Sequence, residues 1–401
     1  MKIINKAHIL AGVTLALGAS AAQAVDFGVF GDVNYHGWSP TSNQKTDIRV
    51  CDCFAQGEFD MYFSQKIDSA TKVFAEMVLE DGGDGGNSYG SDLERYNITR
   101  DLTPSFSIGL GRYHTPIGYW NNAYHHGYIL SDTVSRPSFL NFEDGMGAIL
   151  PMHQIGLQGD GKIQTAGGDI DYTLMVGNNT SINTEANGGY NPDGTPVIPY
   201  THNILDVNNI LNPGGKYSLT AKAVYISAAI PLQVGISAMH QAVTESGTAG
   251  TGDSSSGVML HTGLWEPGYG TTLTDITMVG GHFRYAVSKF DVLGEYYNMQ
   301  DKDKLGGTGT YAANAYYIQF GYRVTDSLKP VYRYEDVDFK AADPYFQYLG
   351  TQKGGRHVID LRWDLSDTNA LKFEFAHFVS GDSNITGSYN TYSVQWAFMM
   401  L

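Results

Sequence analysis

The sequence predicts an all-β fold, a transmembrane antiparallel β-barrel of about 16 strands. Three observations lead to this prediction: apolar and polar residues alternate along most of the chain, short polar turns alternate with longer connections, and glycine and aromatic residues are abundant. The chain contains 48 Gly, 27 Tyr and 18 Phe. Closely spaced strands and the aromatic belts at membrane interfaces use these residues, whereas a helical bundle would contain more Ala, Leu and Glu.

The alternation has the period of two that is typical of strands with one apolar and one polar face. It recurs in residues 27–35, 58–67, 73–79, 359–365, 371–375 and 392–398. A soluble β-sandwich would alternate in the same way, so the period alone does not distinguish the two. The connections do, because outer-membrane barrels alternate tight periplasmic turns with longer outer loops.

Seven short polar turns are separated by longer Gly- and Asn-rich connections. They fall at residues 68–70, 101–104, 159–167, 229–231, 287–289, 325–327 and 366–369. With both termini on the periplasmic side, seven such turns imply 16 strands, an even number as in bacterial barrels. The apolar stretch 223–239 contains Pro231 at its centre, which favours a hairpin over a membrane helix.

The N-terminus predicts export. Lys2 and Lys6 precede an apolar stretch at residues 9–17, and small residues end in Ala22-Gln23-Ala24. This is the layout of a secretory signal peptide. We therefore expect residues 1–24 to be a signal peptide and residues 25–401 to form the barrel.

Charge and motifs exclude several classes of function. The formal net charge is −16, with 25 basic against 41 acidic residues, whereas nucleic-acid binding requires clustered Lys and Arg. The sequence contains no nucleophile elbow, zinc-protease, Walker or haem-attachment motif. We therefore predict neither an enzyme nor a cofactor.

The two cysteines, Cys51 and Cys53, are separated by one residue and would face an oxidising compartment. A local disulfide between them is the first candidate, although a bridge across one residue is sterically tight. A metal or redox role and free or intermolecular thiols remain open, and two thiols do not make a four-ligand site.

The third outer connection runs from about His114 to Pro151 and is long and aromatic. It contains Tyr119, Trp120, Tyr124, Tyr128, Phe139, Leu140 and Phe142. Such apolar residues would be unusual in an exposed loop, so we expect the loop to fold inward against the barrel wall and to narrow the pore. A barrel of 16 strands otherwise leaves an aqueous channel.

Short pieces of this loop resemble the 16-stranded porins of Gram-negative outer membranes. The stretch 141–147 resembles the acidic, glycine-bounded tip of their inward-folded third loop, and Gly111-Arg112 with residues 116–118 resembles the entry to that loop. The resemblance implies that Glu143 and Asp144 line the constriction. It also implies an outer-membrane location among lipid, a homotrimer, and a water-filled channel for passive diffusion of ions and small hydrophilic solutes.

The wall opposite this loop would be cationic. Arg333 and Arg362 fall on inward positions about eight strands further on, at roughly mid-height. Three further basic residues flank them: Arg284, Arg323 and Lys372. These cations would face Glu143 and Asp144 and set a field across the pore, although inward charges in a water-filled barrel can also simply be solvated. Acidic residues near the second loop favour a weak cation preference.

Four histidines lie in or beside the third loop, namely His114, His125, His126 and His153. Imidazole is a common ligand of transition metals, so they are metal candidates. Adjacent histidines on a strand cannot easily face one ion, which favours structural hydrogen bonding and predicts no metal site. Two other functions remain open: a substrate-specific uptake channel for a metal or an organic anion, and a sealed or partner-filled barrel.

Overall fold

The computed structural model describes residues 25–40, 52–81, 89–142, 148–182, 205–206, 215–245, 270–304, 309–349, 351–381 and 388–400. Residues 1–24 lie outside this part, so the signal peptide stays a prediction. Within the described residues, none of the helices is long and apolar enough to cross a membrane.

Sixteen long strands among the described residues form one closed antiparallel barrel. The first and last strands pair with each other and close the sheet, and β7 pairs directly with β10. The strands are β1 (Asp26–Pro40), β2 (Cys53–Lys66), β3 (Thr71–Asp81), β4 (Tyr89–Thr103), β5 (Phe106–His114), β6 (His153–Thr165), β7 (Gly168–Asn178), β8 (Ser181–Ile182), β9 (Leu205–Asp206), β10 (Tyr217–Ser227), β11 (Leu232–Glu245), β12 (Thr272–Val287), β13 (Phe290–Asp303), β14 (Thr310–Tyr322), β15 (Leu328–Asp338), β16 (Gly354–Ser366), β17 (Asn369–Ser380) and β18 (Ser388–Met400).

The two-residue strands β8 and β9 are not part of the closed wall. They pair with each other, and β8 also pairs in parallel with the end of β11. Two short helices, α1 (Trp120–Ala123) and α2 (Pro344–Leu349), lie in connections between long strands. The predicted fold class and strand number are confirmed.

The two faces of the wall carry opposite chemistry. On β17, Phe373 and Phe375 are 42% and 45% exposed, whereas Lys372 and Glu374, which alternate with them, are buried. The same alternation holds on β11, where Ile236 is exposed and Ser237 is buried. A soluble sandwich buries its apolar face, so an apolar outer face around a polar interior identifies a membrane barrel.

All seven predicted turns lie at connections between paired strands, but strand residues take up part of several of them, most of all at residues 159–167 and 101–104. The β6–β7 turn is confined to residues 166–167, because β6 continues through Thr165. The prediction counted Gly159 and Gly161 as turn residues, yet both lie within the strand. A Cβ atom on Gly161 would fall 2.1 Å from the Tyr172 ring on β7, so this glycine makes room for an aromatic ring rather than for a turn.

The apolar stretch 223–239 forms the β10–β11 hairpin, as predicted. Pro231 lies in its turn, immediately before β11, where it removes no hydrogen bond from the sheet. Val234 is 40% and Ile236 is 66% exposed on the outer face.

Candidate pore constriction

The connection between β5 and β6, residues 115–152, is here called the β5–β6 loop, and residues 143–147 of it lie outside the described part. The predicted bounds agree with the end of β5 and the start of β6. Its large apolar side chains are buried: Ile117, Trp120, Phe139 and Leu140 are at most 1% exposed. They form one cluster with the inward side chains of several strands.

Glu295 on β13 fixes the entry of the loop. Its two carboxylate oxygens accept hydrogen bonds from the backbone N–H groups of Tyr119 and Trp120, each at 2.7 Å. The hydroxyls of Tyr297 and Tyr317 also donate to this carboxylate, at 2.5 and 2.6 Å. Four donors therefore satisfy a buried charge, and α1 follows directly from this point.

The middle of the loop is held by three more wall carboxylates. Asp360 on β16 accepts from the Val134 N–H at 3.0 Å, and Glu374 on β17 accepts from the Ser135 N–H at 2.8 Å. Glu335 on β15 accepts from the Ser138 N–H. An irregular backbone away from water needs such partners for its N–H groups, and here the inward wall supplies them.

The predicted cations Arg333, Arg362 and Lys372 contact the carbonyl groups of the same stretch. Arg333 is fully buried, pairs with Glu335 at 3.0 Å, and donates to the Ser135 and Arg136 carbonyls at 3.0 Å each. Arg362 donates to the Ile129 and Ser131 carbonyls at 2.7 and 2.8 Å. Lys372 donates to the carbonyls of Tyr128 and Thr133. These three cations therefore bind loop backbone.

The other two predicted cations have different surroundings. The Arg323 guanidinium pairs with Asp364 at 2.9 Å, and the Arg284 guanidinium lies 6.0 Å from the Tyr119 ring centre. Glu143 and Asp144 lie outside the described residues. Their placement opposite the cationic wall, like the inward folding of the loop, stays a prediction.

Two open cavities lie on the two sides of the stretch 128–134. The one toward the outer loops, of about 320 Å³, is lined by residues that include Tyr128, Val134, Arg356 and Tyr389. The one toward the tight turns, of about 330 Å³, is lined by Leu130 and Asp132. Five basic residues line this second cavity: Arg284, Lys289, Arg323, Lys329 and Arg362. The stretch 128–134 therefore contributes residues to the lining of both cavities.

The four candidate histidines do come together. His114 ends β5, His153 begins β6, and His125 and His126 follow α1 in the loop. The rings of His114 and His153 lie 4.2 and 4.4 Å from the ring of His125. Burial lowers the pKa of His125 well below its usual value. For His126, the Glu58 and Glu94 carboxylates outweigh burial and raise the pKa well above its usual value.

Sequence reasoning missed the carboxylates of this cluster. Glu58 accepts from the Gly127 N–H at 2.6 Å, and the positive φ of Gly127, 78°, allows this approach. Glu94 is the extra residue of a β-bulge on β4, because Leu93 pairs with Met77 and Arg95 with Glu76. A bulge re-aims a side chain, and here the buried Glu94 is directed at the histidines. Neither the bulge nor the contact of Glu58 with the loop has a signal in the sequence.

Cys53, the first residue of β2, is disulfide-bonded. Cys51 lies outside the described residues, so its pairing with Cys53 stays a prediction.

No family model matches the sequence, and no curated protein matches it. Solved structures with a similar fold include an anion-selective porin from Comamonas acidovorans, with a TM-score of 0.59, 14% identity, and coverage of 94% of this chain and 99% of that chain. OmpF of Salmonella typhi in complex with daunomycin has a TM-score of 0.54 at 12% identity, and the outer membrane channel DcaP of Acinetobacter baumannii 0.53 at 8%. Each of these two covers 94% of this chain and 97% of its own.

At these identities the likeness is one of fold. The chain has the fold of the general porins, a 16-stranded β-barrel of the outer membrane. The structures that it resembles are mostly channels.

Proposed function

We propose that this protein is a porin of the Gram-negative outer membrane, a water-filled channel for passive diffusion of ions and small hydrophilic solutes. One observation carries the proposal: the loop backbone contacts inward side chains from strands all around the barrel. Those strands include β2, β10, β13, β15, β16 and β17. A loop can reach all of these walls only from the lumen, where it would narrow the channel.

The route past the loop would connect the two cavities. Each has a volume of more than 300 Å³, and residues of the stretch 128–134 line both of them. This stretch is bound on both its N–H and its carbonyl side by wall residues, so a solute would pass a fixed edge of the loop. Glu143 and Asp144 belong to the same loop, and we place the narrowest part of the channel beside them.

The sign of the ion preference follows from two opposing features. The net charge of −16 and the acidic second loop favour cations weakly, and this is the preference that we propose. The cavity toward the turns favours a second candidate function, uptake of organic anions. Its lining includes five basic residues against Asp132 and Asp291, and rings of basic side chains select anions in other pores.

Planar-bilayer recording tests both candidates. We expect stable single-channel steps from the refolded protein and a reversal potential of cation sign under a salt gradient. The variant Glu143→Gln, Asp144→Asn should weaken that preference, and Asp169→Asn, at the partly exposed start of β7 beside a tight turn, is the matched control. A reversal potential of anion sign with saturable block by an organic anion would favour the second candidate. A folded barrel without conductance would contradict both and leave a sealed or partner-filled barrel.

Three further expectations belong to this proposal. The protein assembles as a homotrimer, is exported with removal of residues 1–24, and has no enzymatic activity. Light scattering of the detergent-solubilised protein measures the oligomer, and N-terminal sequencing of the mature chain measures the cleavage site. A monomer, or a chain that begins at Met1, would contradict the respective expectation.

A further inference from the structure

The buried histidines contact a single carboxylate oxygen, Oε2 of Glu94. The Nε2 atoms of His126 and His125 lie 3.0 and 3.5 Å from it. The side chains of Glu94, His125 and His126 are at most 6% exposed. Their candidate ligand atoms lie within 4.8 Å of one another.

Hydrogen bonds on the far side of each ring decide where the protons are. The Nδ1 atom of His125 lies 2.9 Å from Oδ1 of Asn121, and the Asn121 amide donates to the Thr115 and Met152 carbonyls. The Asn121 oxygen therefore faces the ring as an acceptor, and the Nδ1 of His125 carries the proton. The Nε2 atom of His125 is left with a lone pair that has no hydrogen-bond donor among the described residues.

His126 has the same arrangement, with a carboxylate as its second partner. Its Nδ1 lies 2.7 Å from Oε2 of Glu58, which can only accept, so this Nδ1 also carries a proton. The Nε2 atom of His126 then faces Glu94 at 3.0 Å. A histidine whose other ring nitrogen donates to a carboxylate or carbonyl is typical of metal sites, because the bond fixes the tautomer and orients the ring.

A proton alone does not satisfy this cluster. A second proton on His126 would let its Nε2 donate a hydrogen bond to Oε2 of Glu94. The lone pair of His125 would still face the same oxygen without a donor. Ligands about 2.1 Å from a tetrahedral zinc ion stand roughly 3.4 Å apart, which matches the separations of 3.0 and 3.5 Å. A divalent cation among these three atoms would satisfy all of them at once.

We infer that Glu94, His125 and His126 bind a divalent transition metal of the Zn²⁺ type. His114 lies beside the site, with its ring 4.2 Å from that of His125 and its Nε2 3.8 Å from Oε2 of Glu76, and we do not count it among the ligands. His153 is a positioning residue, because its Nδ1 accepts from Arg112 at 3.1 Å and its Nε2 therefore carries the proton that faces Glu94.

The metal would join the loop to the wall. Glu94 belongs to β4, whereas His125 and His126 belong to the β5–β6 loop. The ion would thus be a structural clamp on the loop, and it would act whatever solute passes the barrel. Nitrogen ligands of this kind suit zinc, copper, iron and nickel, and the burial of all three ligands favours a structural role for the ion.

Metal binding to the full chain, purified without a histidine tag and stripped with a chelator, tests the inference. We expect one equivalent of Co²⁺ per chain with the strong visible absorption of tetrahedral cobalt, and displacement of Co²⁺ by Zn²⁺. His125→Gln and Glu94→Gln should each weaken Co²⁺ binding by at least about 100-fold. His240→Gln, an exposed histidine on β11, is the matched control and should bind as the wild type does.

A second measurement does not depend on whether the variants fold. X-ray absorption of the wild-type Co²⁺ protein should show scattering from at least two imidazole rings. Absence of that scattering, or failure of the folded wild type to take up Co²⁺ and Zn²⁺, would overturn the inference. Wild-type affinity in a folded His125→Gln variant would do the same. None of these results would bear on channel conductance, so failure of the metal site and failure of the porin proposal are distinguishable.

Discussion

The β5–β6 loop is bound at two regions of the wall, and the two differ in how their polar groups are satisfied. Along β15–β17, carboxylates accept from loop N–H groups and cations donate to loop carbonyls. In the histidine cluster beside β4, the Nε2 of His153 donates to Oε2 of Glu94, whereas the Nε2 of His125 faces the same oxygen without a donor among the described residues. The contacts along β15–β17 are made by protein groups alone, with Oδ1 of Asp360 the one of their carboxylate oxygens that has no partner among the described residues, whereas the histidine cluster holds the inferred cation.

Buried polar groups have a different role in each of the two regions. Arg333 has carbonyl, hydroxyl and carboxylate partners, so its burial is explained by the contacts that it makes. The Nε2 atom of His125 has no such explanation among the described residues. A charge paired on several sides, such as that of Arg333, indicates anchoring, and a buried lone pair without a donor, such as that of His125, indicates a ligand.

The largest expected effect comes from removing a charged contact along β15–β17. Arg333→Met removes a fully buried cation that pairs with Glu335 and donates to the Ser135 and Arg136 carbonyls. We expect a loss of about 3–5 kcal/mol in the free energy of unfolding, because a buried pair loses one partner. Guanidinium unfolding followed by tryptophan fluorescence measures it. Arg100→Met, which removes an exposed pair with Asp68, is the control and should leave the unfolding midpoint unchanged; equal effects of the two variants would contradict the anchoring role.

A smaller effect is expected at the entry of the loop. Glu295→Gln places an amide that carries donors among the donating N–H groups of Tyr119 and Trp120. We expect a loss of about 1.5–3 kcal/mol, the range for hydrogen bonds to charged groups. The same unfolding experiment measures it, and limited proteolysis near α1 should accelerate. An unchanged midpoint would mean that Glu295 does not hold the loop.

The variant Glu58→Gln tests whether Glu58 supports His126 in the inferred metal site. This change keeps an acceptor for the His126 ring but removes the negative charge that supports it, and it changes no proposed ligand. We expect Co²⁺ affinity to fall by about 10–100-fold, as for other outer partners of metal-bound histidine. Cobalt titration measures it. A variant with unchanged affinity would place His126 outside the site.

The smallest effect is expected from Arg284→Gln in the cavity toward the turns. The Arg284 guanidinium lies 6.0 Å from the centre of the Tyr119 ring and contributes positive charge to the cavity lining. Its removal should shift the reversal potential modestly toward cations without changing stability, because surface charge acts on selectivity at long range. Reversal potentials at low salt measure the shift, and a shift toward anions would contradict it.

Much of the architecture could be predicted from sequence because its signals are local. A period of two and polar turns determine strands and their number, and the alternation on β17 assigns Lys372 to the inner face and Phe373 to the outer face. The error at residues 159–167 came from Gly161, since a glycine opposite Tyr172 has the same sequence signal as a turn glycine.

The site was less predictable because it depends on long-range contacts. The positions of Arg333 and Arg362 follow from strand counting, but their bonds to loop carbonyls depend on the path of the loop. The argument that adjacent histidines cannot face one ion holds for a strand. His125 and His126 follow α1 in irregular backbone, where their rings lie 4.7 Å apart and both can face Glu94.

The central claim is that the β5–β6 loop narrows a conducting barrel. Single-channel conductance of the wild type and of a folded Arg333→Met, Lys372→Met variant tests it most directly, because this variant releases the loop at Tyr128–Arg136 while leaving the outer face of the wall intact. We expect stable steps in the wild type and larger, noisier steps in the variant. A folded wild type without conductance, or identical steps in the two proteins, would contradict it.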